Sequence, residues 1–331
     1  MVESSPLNEP YFQVYLRLIE RARMAVATQL IKDALPLVKK GGPGMIKTIF
    51  RDLFNSIAGN EGSSIAGNRV LITGGSNGIG RLMAEECARR GASAVIVWGY
   101  TPARIDAAIE RLEQMKCKTK GYRVDVSDVD QVKAAAKEVL NDFGGVDILI
   151  NSAGVVSGAP LLELSDSQID RTLNINVRAL FSVTREFLPG MLERNYGHIV
   201  TIASAAGTIG PAKMTDYAGS KWAARGFMES LRNELKKMGS DVKTLCVNPF
   251  YIDTGMFEGV KTKVPFLLPI LKEEAVADKV IASIEGGAPE LFMPIIVKFT
   301  ALLRVLPAHW FDAAMNLLGI NDTMNEFTGR G

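Results

Sequence analysis

The chain has 331 residues, 47% of them hydrophobic, and 38 basic against 36 acidic residues give a formal charge of +2. That length suits one large α/β domain with an extension or two small domains, and so even a charge balance argues against a nucleic-acid surface or a strongly acidic partner. Cys87, Cys117 and Cys246 lack C-x-x-C spacing and read as small core residues of a reducing compartment, while His198 and His309 are too few for a multi-histidine metal centre, so no metal is expected.

Residues 1–65 read as a helical N-terminal extension. The start lacks the basic, apolar and small-residue order of a secretory leader, and Arg17, Glu20, Arg21, Arg23, Lys32 and Asp33 interrupt segment 11–38 before a membrane span accumulates. Ile46, Ile49, Phe50, Leu53, Phe54 and Ile57 recur at helical spacing with Lys47 and Arg51 among them. Such a basic amphipathic helix can lie on a membrane surface, cover its own domain or bind another subunit, and docking on protein is the favoured use. The expected location is cytoplasmic, with peripheral membrane contact as an additional option.

From Asn68 the pattern turns to strand–helix alternation, which sets off 66–254 as a separate domain. The strands fall at 69–73, 93–98, 119–124, 146–151, 197–203 and 242–248, and the helices at 78–90, 102–115, 128–143, 166–194 and 215–238. Each parallel crossover needs a helix-length connection, so this order predicts a Rossmann-type doubly wound parallel sheet of about seven strands in the α/β class. The remaining segment, 255–331, supplies a last strand at 291–293, short amphipathic helices within 295–318 and an apolar run, Val264-Pro265-Phe266-Leu267-Leu268-Pro269-Ile270-Leu271. That run reads as a lid over an apolar substrate pocket or as a subunit-packing surface.

The chemistry begins at Thr73-Gly74-Gly75-Ser76-Asn77-Gly78-Ile79-Gly80, between the first strand and first helix. Glycines there let backbone approach a pyrophosphate, which a helix N-terminus stabilises through free N–H groups. Dinucleotide folds place an acid for the ribose hydroxyls about 20 residues on, and Gly99 stands there in Trp98-Gly99-Tyr100-Thr101. Losing that carboxylate removes the repulsion against a 2′-phosphate, so NADP(H) is slightly favoured over NAD(H). Arg104 is a phosphate partner or an ordinary exposed helix arginine. Asp125 either binds adenine or caps the helix that starts near Asp128.

Tyr217-Ala218-Gly219-Ser220-Lys221 puts a phenol and an ammonium four apart on one helix face. A phenol near pKa ~10 needs such a cation to act near neutrality. Most Tyr-x-x-x-Lys pairs are ordinary helix surface, but Ser204 closes a strand thirteen positions earlier, at the carboxyl edge where open sheets bind ligands. Its hydroxyl can hold a reacting oxygen, or it is simply a turn residue.

In combination these pieces resemble the short-chain dehydrogenase/reductase family over about residues 68–255, with Thr73–Gly80, Asp125, Asn151-Ser152-Ala153-Gly154, Asn176, Ser204, Tyr217 and Lys221 in the family's order. The resemblance implies a tetrad in which Ser204 orients substrate, Tyr217 is acid/base, Lys221 also binds the nicotinamide ribose, and Asn176 holds a water for proton relay. It further implies cofactor contacts at Thr73, Gly74, Ser76, Asn77, Gly78, Ile79, Gly80, Tyr100, Asp125, Val126, Asn151, Ala153, Gly154, Pro249 and Thr254. Thr254 would touch the carboxamide. Where the family has Pro-Gly, this chain has Pro249-Phe250. Thr254-Gly255-Met256-Phe257-Glu258-Gly259 and the apolar run after it are similar to the retinol and lipid-associated hydroxysteroid dehydrogenase branch. The function implied is hydride exchange with an apolar alcohol, ketone or aldehyde in a homodimer or homotetramer, with helices 166–194 and 215–238 forming a dimer face. A non-catalytic nicotinamide sensor on the same fold is the alternative, although it has no need of Lys221 beside Tyr217. Hydrolase chemistry fails for want of a G-x-S-x-G elbow.

Overall fold

The computed structural model describes residues 62–329. The extension expected over 1–65 falls almost wholly outside them.

Seven strands form one sheet in the order β3-β2-β1-β4-β5-β6-β7: β1 Arg69–Thr73, β2 Ala94–Gly99, β3 Thr119–Arg123, β4 Ile148–Asn151, β5 His198–Ile202, β6 Lys243–Pro249 and β7 Glu290–Met293. Every pairing is parallel. The strand order reverses between β1 and β4, and a crevice opens there beyond the carboxyl ends of the strands.

Successive side chains along the strands point to opposite faces, as the period of two requires. Leu71, Ile96, Leu149 and Ile199 join one apolar cluster, while Val70, Ile72, Val95, Ile148 and Val200 join another on the opposite face. The first face is covered by α3 (Val129–Phe143), α5 (Ala179–Glu193) and α6 (Thr215–Met238), and the second by α1 (Gly78–Arg89) and α7 (Glu273–Glu285). Each fully buried Leu or Ile stabilises the fold by roughly 1.5–3 kcal/mol. Helix α2 (Pro102–Gln114) follows β2, with Pro102 at its first position, where the missing N–H leaves nothing unpaired.

Two features differ from the spacing-based expectation. The single helix predicted over 166–194 is broken into α4 (Asp166–Leu173), a π turn (Asn174–Arg178) and α5. Such an inserted residue commonly marks a functional site, and here it carries Asn176 inward. Helix α7 is the other. Val276, Ala277, Val280, Ile281 and Ile284 bury its inner stripe against α1 and the sheet, so part of segment 255–331 covers the main core.

Residues 257–327 also contribute, with Tyr217, Phe250 and Tyr251, to a third apolar cluster at the carboxyl end of the sheet. Two short helices, α8 (Thr300–Leu303) and α9 (Ala308–Leu317), belong to this region. No helix among the described residues is long and apolar enough to cross a membrane. Cys87 and Cys246 are buried as expected of core residues, whereas Cys117 is only partly so, because it follows α2 at the sheet's outer edge.

Candidate active site

The loop from β1 to α1 is built for close backbone approach. Gly74 has φ +68°, and a Cβ there would stand 3.0 Å from Ala153 Cα. A Cβ on Gly80 would overlap the Gly74 carbonyl, so neither position admits a side chain. Asn77 precedes α1 with extended backbone and makes no side-chain cap, and the first turn carries no acid. The helix N-terminus therefore offers N–H groups and positive dipole to an anion. Gly74, Ser76, Asn77, Gly78, Ile79 and Gly80 border a cleft of about 540 Å³ that runs on to Tyr217.

At the far end of this cleft, a side chain at Gly99 would require its neighbours to move: a Cβ would meet Ser76 Oγ at 2.6 Å and Ile105 Cγ1 at 2.8 Å. Tyr100, Thr101 and Arg104 border the same end. Asp125 and Val126 lie on the wall as well. The cap on α3 is Asp128, whose carboxylate accepts from the N–H groups of Asp130 and Gln131. Asp125 instead accepts from the Ser127 N–H at 2.9 Å and the Ser127 hydroxyl at 2.5 Å, which removes the capping alternative for it.

Three residues expected at the cofactor or catalytic centre stand behind the wall. Thr73 Oγ1 accepts from the Ser152 and Ala153 N–H groups at 3.1 and 3.2 Å, bracing β1 against the end of β4. Asn151 is buried beneath the sheet edge, its amide 3.5 Å from Thr184 Oγ1. Asn176 clips the loop after β4: its Oδ1 accepts from the Val155 N–H at 2.9 Å, and its Nδ2 donates at 2.9 Å to both the Val155 carbonyl and Ser220 Oγ. Both amide hydrogens of Asn176 are thereby committed. Ala153 and Gly154 do border the cleft.

Ser204, Tyr217 and Lys221 meet at its inner end, together with Pro249, Phe250 and Thr254. Ser204 Oγ accepts from the Ala206 N–H at 3.1 Å and lies 3.5 Å from the Pro249 carbonyl. Lys221 Nζ donates to the Ile202 carbonyl at 2.8 Å and sits 5.5 Å from the Tyr217 ring centroid. A Cβ on Gly154 would lie 3.6 Å from that ammonium, so the loop after β4 reaches the lysine closely. Burial pushes the Tyr217 phenol up, and its bond with Ser204 pulls in the other direction. Burial likewise brings Lys221 down to about 8. The sequence argument expects the ammonium to lower the phenol. In this structure burial sets the direction instead, because the ring is only 5% exposed, and the opposing contribution comes from Ser204.

Sequence reasoning missed what surrounds the phenol. Phe257 packs edge-on to Tyr217 with centroids 5.8 Å apart and to Tyr251 at 5.1 Å, and Phe250 packs on Tyr251 at 4.7 Å. Arg171 and Ile175, from α4 and the π turn, also border the cleft. Pro249-Phe250 and the Met256-Phe257 run were the signals available for the aromatic cover.

Comparison with known proteins agrees with this arrangement. The family pattern described as short chain dehydrogenase matches residues 68–265. Mouse epidermal retinol dehydrogenase 2 is 36% identical over 292 residues, 87% of this chain and 94% of that protein. Estradiol 17-beta-dehydrogenase 11 of Pongo abelii is 37% identical over 246 residues, 74% of this chain and 81% of that protein. Among solved structures, a short chain dehydrogenase/reductase from Burkholderia phymatum in complex with NAD superposes with TM-score 0.67 at 27% identity, covering 73% of this chain and 94% of that one. A metagenomic short-chain oxidoreductase in complex with NADP does so with TM-score 0.58 at 27% identity, covering 70% and 97%.

Proposed function

This chain belongs to the short-chain dehydrogenase family, and from that premise we propose that it exchanges hydride between a nicotinamide dinucleotide and an apolar alcohol or carbonyl compound, with Tyr217 moving the proton. The observation that carries the reading is the meeting of Ser204, Tyr217 and Lys221 in the same cleft as the glycine turn.

The residues fit such a cofactor. Gly74 and Gly80 leave a cradle that any Cβ would fill, beside an uncapped helix N-terminus. When bound there, the nicotinamide supplies or accepts the hydride. Ser204 then orients the substrate oxygen, and Tyr217 gives it a proton in reduction and takes one in oxidation. Lys221 stabilises the phenolate that reduction leaves behind. Asn176 acts by position: its side chain fixes Val155 and Ser220 beside the cleft.

Cofactor contacts are proposed at Gly74, Ser76, Asn77, Gly78, Ile79, Gly80, Tyr100, Asp125, Val126, Ala153, Gly154, Pro249 and Thr254, with Thr73 and Asn151 as braces. NADP(H) is favoured slightly, since position 99 holds no carboxylate and Arg104 borders that end of the cleft. The substrate class follows from Met214, Phe250, Tyr251 and Phe257, an apolar surround in which a developing alkoxide depends on Ser204 and Tyr217. A dimer through α5 and α6 is proposed on Phe181, which is 48% exposed while it packs edge-on to Phe227. The location proposed is cytoplasmic, with peripheral contact at a membrane surface as the route to an apolar substrate.

The test is purified protein with each nicotinamide cofactor and a panel of medium-to-long apolar alcohols, ketones and aldehydes, followed at the reduced-nicotinamide absorbance. Turnover of some members is the expected result. A flat trace for the whole panel with both cofactors overturns the reading.

A further inference from the structure

The family pattern ends at residue 265, yet the last described residues return to the reaction site. Tyr251 Oη and Thr323 Oγ1 share a hydrogen bond of 2.8 Å. The Lys261 N–H donates to the Thr323 carbonyl at 3.4 Å, and the Thr328 N–H donates to the Glu258 carbonyl at 3.0 Å. The Thr328 hydroxyl reaches the same carbonyl at 3.3 Å. Between these points Lys261 Nζ and Glu326 Oε2 are 2.5 Å apart, an exposed pair that adds little by itself.

Two glycines admit this close passage. A Cβ on Gly259, where φ is +83°, would overlap the Glu326 carbonyl, and a Cβ on Gly158, where φ is +71°, would overlap the Phe327 ring. Gly158 belongs to the loop after β4, whose Gly154 and Val155 border the cleft. Residues 323–328 therefore join that loop to the loop carrying Phe257, which covers Tyr217. Phe257 packs on the third apolar cluster, edge-on to the Tyr217 and Tyr251 rings. The backbone bonds from the C-terminal segment fall on either side of Gly259, within the loop that carries Phe257, and so bear on where the aromatic cover sits.

We propose that residues 323–328 are a specificity strap for the substrate site, holding Phe257 over Tyr217, with Phe327 on Gly158 limiting how bulky an apolar substrate the site admits. The strap rests on the proposed role of Tyr217. Thr323, Phe327 and Thr328 are positioning residues, acting through the loops they fix.

A chain ending at Asn325 removes Phe327 and Thr328 while keeping Thr323 and the buried Met324. Phe327→Ala tests the ring alone, and Phe327→Leu is its conservative partner. Amide hydrogen exchange of residues 255–261, measured without substrate, should quicken about tenfold in the shortened chain and in Phe327→Ala. KM for small apolar substrates should rise about fivefold with kcat changed less than about twofold, and bulky substrates should gain relative to small ones. Phe327→Leu should restore most of both effects. Exchange and KM unchanged in Phe327→Ala overturn the strap, whether or not the shortened chain folds. Quicker exchange with no turnover of any substrate removes the oxidoreductase reading instead, and normal turnover with unmoved exchange and size preference removes the strap alone.

Discussion

Lys221 donates a hydrogen bond to the Ile202 carbonyl at 2.8 Å while its ammonium stays 5.5 Å from the Tyr217 ring centroid. The end of β5 thus holds the ammonium beside the phenol ring. Tyr217→Phe keeps the ring against Phe257 and removes the proton. Turnover should fall about a thousandfold, within the range expected for losing a general acid, while dinucleotide Kd by fluorescence titration stays within about twofold. A variant retaining a tenth or more of wild-type kcat would move the proton role away from Tyr217.

Burial raises the Tyr217 phenol and brings Lys221 down to about 8, and the two shifts set a pH profile. Reduction of a carbonyl needs the phenol protonated and the ammonium charged. Both hold below about 8, so kcat for reduction should be level there and decline above it as Lys221 loses its proton. The stability sign is opposite. Between about 8 and the ordinary 10.5 the unfolded chain holds a proton on this lysine that the folded chain has released, so its contribution to stability rises with pH across that window. Lys221→Met should abolish the alkaline decline of kcat along with most activity, and a profile of unchanged shape in that variant would exclude the assignment.

Asn176 offers a test of position against relay. Its amide satisfies both backbone groups of Val155 and the Ser220 hydroxyl, all from a residue 2% exposed. Asn176→Ala strands those partners, and each buried group left unpaired costs about 1–3 kcal/mol. Urea unfolding should show a loss of about 2–4 kcal/mol, the partners being partly re-satisfied by water. kcat should fall with it. Loss of activity at full stability would indicate a direct role for the side chain.

How far the sequence could be read depends on the range over which each feature is determined. Ala94–Trp98 is a continuous apolar run, and only a strand buried on both faces needs one, so the sheet was legible residue by residue. Tyr217 and Lys221 were legible because a helix fixes their spacing. The π turn was not, since it is settled by the contact of Asn176 with Val155, 21 positions away. The placement of the Thr73 and Asn151 side chains was not legible for a related reason: a motif places a backbone beside the cleft without saying which side chains turn inward. Helix α7 did have a readable stripe in Val276, Val280 and Ile284, but the denser apolar run before it drew attention to a lid.

Gly99 makes cofactor choice testable. A carboxylate there must displace Ser76 Oγ, 2.6 Å from the would-be Cβ, and Ile105, at 2.8 Å. Gly99→Asp alone should therefore weaken both NADPH and NADH binding. Combined with Ser76→Gly, which clears the nearest atom, it should shift the NADPH/NADH ratio of dissociation constants about tenfold toward NADH, since a carboxylate repels a 2′-phosphate and accepts from ribose hydroxyls. An unmoved ratio in the double variant, measured by calorimetry, would show that position 99 does not govern the choice.

His198 lies away from this chemistry, at the amino end of β5, and predicts an acid limit for the fold. It is 1% exposed, its Nδ1 is 3.1 Å from Ser63 Oγ, and its Nε2 is buried without a partner among the described residues. Burial, with help from the Lys243 charge, takes it down to about 3 from an ordinary 6.5. Between those values the unfolded chain binds a proton that the folded chain refuses. Stability should decline as pH falls through 6.5, at up to about 1.4 kcal/mol per pH unit. The stretch from pH 6.5 to 5 lies above the range where a carboxylate such as Asp147, held low by Arg69, begins to contribute. Urea denaturation at intervals across that stretch should show the decline in the wild type and a flat line in His198→Gln, which keeps polar atoms for Ser63 without a titrating ring. A wild-type curve equally flat would mean that the imidazole takes up its proton within the folded protein.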